Sequence, residues 1–408
     1  MRRSMATTVL RLSAVMIAGA LAGCAKSDAP PAAPVDLSVE GRSNAHVTLA
    51  SDGRRLAAAW IASTDAGADV FTAVSEDGGR RFGAPVRVND LAGDASANGE
   101  QPPRVVLNGG SMTVVWVSKR NGVSGIRAAQ SSDGGRTFAA TRTISPDGVT
   151  GARGWESAAI DDAGVVHAAW LDGRNAAPHV PGAPHVHGAM RQDIVHAMWR
   201  DGEAVVETPV ADNVCFCCKT GVAARGSEVY VVWRHLFPGG VRDIAIARSA
   251  DGGRTFGAPV RVSADDWKID ACPDDGPSLA IDGSGAIHVA WPTLLQDGGS
   301  PHMAIFEAVS RDGGATFTPR ARVDAAATGA SHPRVAVTRG GARAIVWDEL
   351  APEGRRVMLR GGGSAVPLAE GGSASYPAIT VVDDGFAVAW TEQAAGRGVI
   401  RVAGAGPR

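Results

Sequence analysis

The feature that most constrains this 408-residue chain is an eight-residue pattern, Ser-x-Asp-Gly-Gly-x-x-Phe, that occurs four times. The copies are Ser75 to Phe82, Ser131 to Phe138, Ser249 to Phe256 and Ser310 to Phe317. Their aspartates, Asp77, Asp133, Asp251 and Asp312, lie 56, 118 and 61 residues apart, so the middle gap spans two repeat lengths. A degenerate copy sits in that gap, Trp199 to Val206, keeping the Asp201-Gly202 pair and an apolar eighth residue. Each pattern reads as a tight turn: the Asp carboxylate accepts backbone N–H bonds, the glycines take positive φ, and the Phe returns to the core. Repetition at a near-constant period means stacked units rather than one irregular core.

A second repeat is independent of the first. An alternating apolar strand ending in Trp recurs seven times, with Trp60, Trp116, Trp170, Trp233, Trp291, Trp347 and Trp390, each preceded by another short strand such as Arg104 to Leu107. Where a turn pattern is present, two further strands flank it, which makes four strands per unit, the blade of a propeller. The last unit, Tyr376 to Val402, has three clear strands, while Val35 to Val39 is a spare one. The expectation is that the spare strand closes the ring, because an unclosed propeller leaves exposed edges. The predicted fold is all-β: a seven-bladed β-propeller of four-stranded antiparallel blades, with six blades as the alternative. A chain with 52 Gly and two Tyr suits such a turn-rich domain.

The turn pattern is that of the Asp box, or BNR repeat, and residues 36 to 408 resemble the Asp-box β-propellers of the sialidase superfamily. The resemblance implies a propeller whose boxes brace one face while function sits at the opposite one. It also implies a test, since sialidases hold a substrate carboxylate with three arginines and use a Tyr nucleophile activated by Glu, together with an acidic Asp. Their Phe/Tyr-Arg-Ile-Pro motif has no counterpart here. Tyr376 alone of the two tyrosines stands at the start of an inner strand, Glu156 at the matching place in the third unit, and Arg104, Arg334 and Arg242 supply charge. Gln101, Lys219, Asp275 and His332 occupy equivalent rim positions and form a mixed polar lining suited to a ligand.

Residues 1–23 read as a lipoprotein signal: Arg2 and Arg3, an apolar stretch, then Leu21-Ala22-Gly23-Cys24 as lipobox. Cys24 would carry the lipid, and 24–34 an extended Ala/Pro tether to a single domain at 35–408. The expectation is a lipid-anchored protein of the cell envelope, at the outer membrane facing the periplasm or the cell surface. No later apolar run is long enough to cross a bilayer as a helix, so membrane contact is through the anchor. Removing Arg2, Arg3 and Arg11 from the 40 basic residues leaves 37 against 42 acidic ones, a balance that argues against nucleic acid as a partner.

Two cysteine-bearing segments lead into neighbouring inner strands, Cys215-Phe216-Cys217-Cys218 and Cys272-Pro273, and an expanded loop carries His179, His185 and His187. Four cysteines in an oxidising compartment read as two disulfides of undetermined pairing. The alternatives are a copper or zinc site built from the thiolates with His185 or His187, and free or vicinally bonded thiols. Three functions stay open on the sequence: a module binding a glycan, peptide or protein ligand; a sialidase-type glycoside hydrolase using Tyr376, Glu156, Arg104 and Arg334; and a metal-binding lipoprotein.

Overall fold

The computed structural model describes residues 33–405 apart from 121, 177–190, 216, 270–273, 297–299, 325–328 and 370–371. The expectations placed on Cys24, Cys272, His179, His185 and His187 lie outside the described residues. The described residues belong to one compact unit, and its sheets are ladders of short strands, all antiparallel but for a two-residue parallel pairing at Gly354–Gly372 and Arg355–Ser373. After β1 (Val35–Leu37), the first full set is β2 (Ser43–Asp52), β3 (Arg55–Thr64), β4 (Gly67–Ser75) and β5 (Val86–Arg87), hydrogen-bonded in that order.

The Trp strands are more deeply buried than alternation suggests. In β3 every residue from Leu56 to Ala62 is buried, small and large alike. A strand covered on both faces reads as a continuous apolar run, and the covering layers here are the neighbouring sets. One core cluster joins Ala57, Ala59 and Ile61 of β3 to Met112, Val114 and Trp116 of the next set. Five further clusters each straddle two successive sets, and another joins Leu56, Ala58 and Trp60 to Ala389, Ile400 and Val402 near the end of the chain. The ring therefore closes on itself. The sets number seven among the described residues, once the eight-stranded sheet running from Arg153 to Arg261 is divided at its single Val214–His235 bridge.

The seven tryptophans of the repeated strands are all buried, which obliges each indole N–H to find an acceptor. Six do: Trp60 donates to Asn44, Trp170 to Asp172, Trp233 to His235, Trp291 to Asp265, Trp347 to Glu349 and Trp390 to Glu392. Four of those acceptors stand two residues after their Trp. This is a repeat within the repeat.

Closure is carried by β1, which pairs with the strand Arg397–Ala405 as Val35–Val402, Asp36–Arg401 and Leu37–Ile400, so these two distant segments share one sheet. The Ser-x-Asp-Gly-Gly-x-x-Phe turns have one geometry. In the first, the Ser75 hydroxyl donates to Asp77 Oδ1 at 2.9 Å and accepts the Gly79 N–H at 2.8 Å, while Asp77 accepts the N–H groups of Arg80 and Arg81. Gly78 and Gly79 sit at φ +77° and +91°, values the other three copies repeat closely. Gly78 also donates to the Arg54 carbonyl, in the turn between β2 and β3; Gly134 and Gly252 do the same in their own sets. The turns thus lie where the innermost strands end, and the opposite end of the ring is where those strands begin.

Candidate functional site

The beginnings of the inner strands share an unusual backbone. Eight non-glycine residues among those described have positive φ, and five are His46, Trp155, Asp274, His332 and Tyr376, all just before an inner strand pairs regularly. At four of them the ladder slips: between Ala45 and Thr48, Gly154 and Ser157, Ser331 and Arg334, and Ser375 and Ala378. A bulge with a left-handed residue costs backbone energy and turns a side chain out of the ladder. The amide it frees is satisfied by a side chain from the preceding set. His332 N–H donates to Asp275 at 2.6 Å, Tyr376 N–H to Asp348 at 2.7 Å and His46 N–H to Thr391 at 3.0 Å.

These side chains converge on Glu100. Its carboxylate takes Lys219 Nζ at 3.0 Å and His332 Nε2 at 2.7 Å, while Lys219 also pairs with Asp275 at 2.5 Å and His332 Nδ1 with Asp348 at 2.7 Å. Arg355 adds a second cation to Asp348. Burial alone would raise the Glu100 pKa, but Lys219 and His332 outweigh it and hold it at about 2. Burial alone would lower the His332 pKa, but Asp348, Glu100 and Asp275 outweigh it and carry it to about 9. Lys219 is almost fully enclosed, at 1% exposure, so its charge is tolerated only because both carboxylates meet it. Tyr376 lies over His332 with ring centres 4.1 Å apart and edge-on to His46 at 5.6 Å. Its ring covers Gly99 so closely that a Cβ there would overlap it. Burial, then Glu100, Asp348 and Asp275, push the phenol up to about 12. It is a hydrogen-bond donor at neutral pH.

A second group is under-satisfied. Arg104 Nε donates to the Glu156 carbonyl at 2.8 Å, yet Arg104 Nη2 and both carboxylate oxygens of Glu156 are buried without a partner. The side chain of Arg334, half-buried, makes no hydrogen bond or ion pair with any described residue; burial lowers its pKa, against the charges of Glu100 and Asp275. Burial and then the positive charge of Arg334 lower the Arg104 pKa to about 9. Burial raises the Glu156 pKa to about 7, against the pull of Arg104. Gln101 packs its amide against Gly154, where a Cβ would meet Oε1 at 2.5 Å. This mouth holds two guanidinium groups that repel each other and lack a counter-charge in direct contact.

The structure brings Lys219, Asp275, His332 and Tyr376 together, and places Arg104 beside Glu156. The Tyr376 phenol makes no hydrogen bond to the Glu156 carboxyl, and the charges acting on the phenol come from Glu100, Asp348, Asp275 and Arg355 instead. Glu100 and Asp348, the hub and the brace of the network, escaped sequence reasoning. Asp348 carries a usable signal, because it directly follows Trp347, as Thr391 follows Trp390. Glu100 sits in a loop with no motif.

The cysteine reading changes as well. Cys215 and Cys218 are buried free thiols with sulfurs 3.6 Å apart, rather than members of two disulfides, whereas Cys217 is not free. The sulfurs of Cys215, Cys217 and Cys218 lie within 4.8 Å of one another, a spacing a soft ion such as copper or zinc can bridge. The engagement of Cys217 counts against all three serving as thiolate ligands.

Fold and site together define a β-propeller with a charged mouth at the end opposite its Ser-Asp turns. No protein-family profile and no curated protein matches the sequence. Among solved structures, a Dyadobacter fermentans protein described as of unknown function aligns at TM-score 0.54 and 13% identity, over 93% of this chain and 99% of that one. An ulvan lyase of the polysaccharide lyase family PL25, bound to a GlcA(1-4)Rha3S repeat, aligns at TM-score 0.56 and 11% identity, over 91% and 96%. A sialidase from Streptococcus pneumoniae aligns at TM-score 0.47 and 10% identity, over 86% and 83%. At these identities the likeness speaks to fold alone.

Proposed function

We propose that the protein binds an acidic glycan at the mouth of the ring, with Arg104 and Arg334 facing the ligand's anionic group. The observation that carries this reading is the pair itself: two like charges, one with a buried unpartnered N–H and the other with no side-chain hydrogen bond or ion pair to a described residue. An incoming carboxylate or sulfate would relieve their repulsion and accept the free N–H groups, an interaction of the charge-assisted kind. The Lys219–Glu100–His332 network holds the surrounding side chains in place, and the Tyr376 ring offers a flat face for a sugar. A glycan is favoured as ligand class because a propeller of similar fold is described as a lyase of the polysaccharide ulvan. Binding rather than sialidase-type turnover is the better reading, since a phenol pushed up to about 12 is a poor nucleophile.

Calorimetric titration with uronate-containing, sialylated and sulfated oligosaccharides, each beside a neutral counterpart, tests the proposal. The expected result is binding of acidic ligands alone, weakened by salt. In Arg334→Ala affinity should fall by about tenfold or more, the loss of one hydrogen bond to a charged group, with thermal stability unchanged because Arg334 braces nothing. Equal affinity for neutral and acidic sugars, or an unaffected Arg334→Ala variant, would overturn it. Product analysis of the same mixtures reads out any cleavage.

A further inference from the structure

Beside the mouth, the strand Val206–Cys215 ends in the first of two cysteines spaced Cys215-x-x-Cys218. Their sulfurs are 3.6 Å apart and share a hydrogen bond, so one S–H points at the other sulfur. The two sulfurs have different surroundings. Cys215 Sγ accepts from Arg242 Nη1 at 3.8 Å. Arg234 stands close by, fixed by its bonds to the Arg242 and Pro292 carbonyls and by stacking 4.3 Å from the Trp267 ring centre. Cys218 is the deeper of the two, 1% exposed against 4%. Trp155, one of the left-handed residues, packs against the cluster.

We propose that Cys215 and Cys218 are a redox-active dithiol that reduces small disulfides, with Cys215 the attacking sulfur and Cys218 the resolving one. A thiolate is the nucleophile in such exchange, and cations or a neighbouring thiol donor favour it. The Cys218 S–H, acting against burial and aided by Arg234 and Arg242, lowers the Cys215 pKa to about 6, while burial and the Cys215 sulfur raise that of Cys218 well above the ordinary value. The division of labour follows. Cys215 thiolate attacks one sulfur of a disulfide R–S–S–R, breaking its S–S bond, forming Cys215–S–S–R and releasing RS⁻. Cys218 then gives its proton to RS⁻ and attacks Cys215 Sγ, forming the Cys215–Cys218 bond and releasing the second RS⁻, which takes a proton from solvent. Two protein thiols are oxidised and one disulfide becomes two thiols. The slight exposure of Cys215 selects a low-molecular-weight disulfide over one buried in a folded protein. A metal built on the same sulfurs is the weaker reading, because Cys217 is already engaged.

The test uses the full chain and bis(2-hydroxyethyl) disulfide, with acid quenching and peptide mapping of Cys215 and Cys218. The wild type should form the Cys215–Cys218 disulfide and release two equivalents of mercaptoethanol per chain. Cys218→Ser should stop at a mixed disulfide on Cys215, and Cys215→Ser should react at least about tenfold more slowly. Both thiols remaining free in the wild type, or Cys215→Ser capturing the reagent on Cys218 at the wild-type rate, overturns the proposal. Should either variant fail to fold, iodoacetamide alkylation of wild-type Cys215 across pH decides. A half-maximal rate near pH 6 supports the assignment, and one near the ordinary thiol value of 9 removes it.

Discussion

Glu156 shows how a single buried carboxyl writes itself into the stability of the whole chain. Its folded pKa of about 7 lies above the ordinary 4.5 of an exposed glutamate, so the folded protein holds this proton more tightly than the unfolded chain. The stability it contributes is complete below pH 4.5 and is lost as pH rises through 7. Over that interval the wild type should lose up to about 3 kcal/mol relative to Glu156→Gln, which keeps the shape and cannot ionise. His332 adds a separate loss, since its raised pKa makes its contribution complete below pH 6.5 and drains it as pH climbs through about 9. Comparing Glu156→Gln with wild type isolates the first effect: urea unfolding of both at pH 4.5 and pH 8 should give curves that diverge, and parallel curves would mean that this carboxyl is not buried as described. At this scale the sequence was only partly readable. Lys219, Asp275, His332 and Tyr376 declared themselves by equivalent places at the starts of inner strands, but Glu100 reaches the centre from a loop with no repeat to measure against. No spacing rule could give it a partner.

Elements were more legible than residues because their signals are local and repeated. The Ser-Asp turns announced themselves through residues whose hydrogen bonds close within five positions of one another, and the Trp strands through a side chain that each set must bury. What local reasoning missed was the depth of the Trp strand, read as alternating when stacking covers both faces; the covering layer lies some 60 residues away and leaves no trace in the strand's own pattern. The turns make a prediction of their own. Ser131 is buried, its hydroxyl donating to Asp133 at 2.7 Å and accepting the Gly135 N–H at 2.8 Å. Ser131→Ala removes both bonds and leaves a buried N–H without an acceptor, a loss of about 1–3 kcal/mol. Chemical denaturation should show that decrease with an unchanged denaturant slope, since the surface buried by folding is the same. A decrease below a few tenths of a kcal/mol would mean that the hydroxyl decorates the turn instead of holding it.

For the molecule as a whole, the decisive feature is that seven stacked sets must meet end to end, and three residues make that join. β1 gives the last set its fourth strand, with Leu37 buried among Leu56, Trp60, Ile400 and Val402. Without it, the backbone groups of the strand Arg397–Ala405 that face β1 would lie open, an edge able to pair with another chain. Deleting the chain through Val39 should therefore do two things at once. It forfeits the burial of one leucine, about 1.5–3 kcal/mol, together with the ladder bonds, and it converts a closed ring into one with a free edge. The expected readings are a lower unfolding midpoint and concentration-dependent self-association in light scattering. Asp36→Ala is the matched control: it removes the ion pair with Arg401, in which Asp36 is half exposed, and should change stability by less than about 1 kcal/mol. A deletion variant that stays monomeric with an unaltered midpoint would show that the stacking of the first and last sets holds the ring closed without the strand, placing the join in the side chains between them and not in the shared sheet.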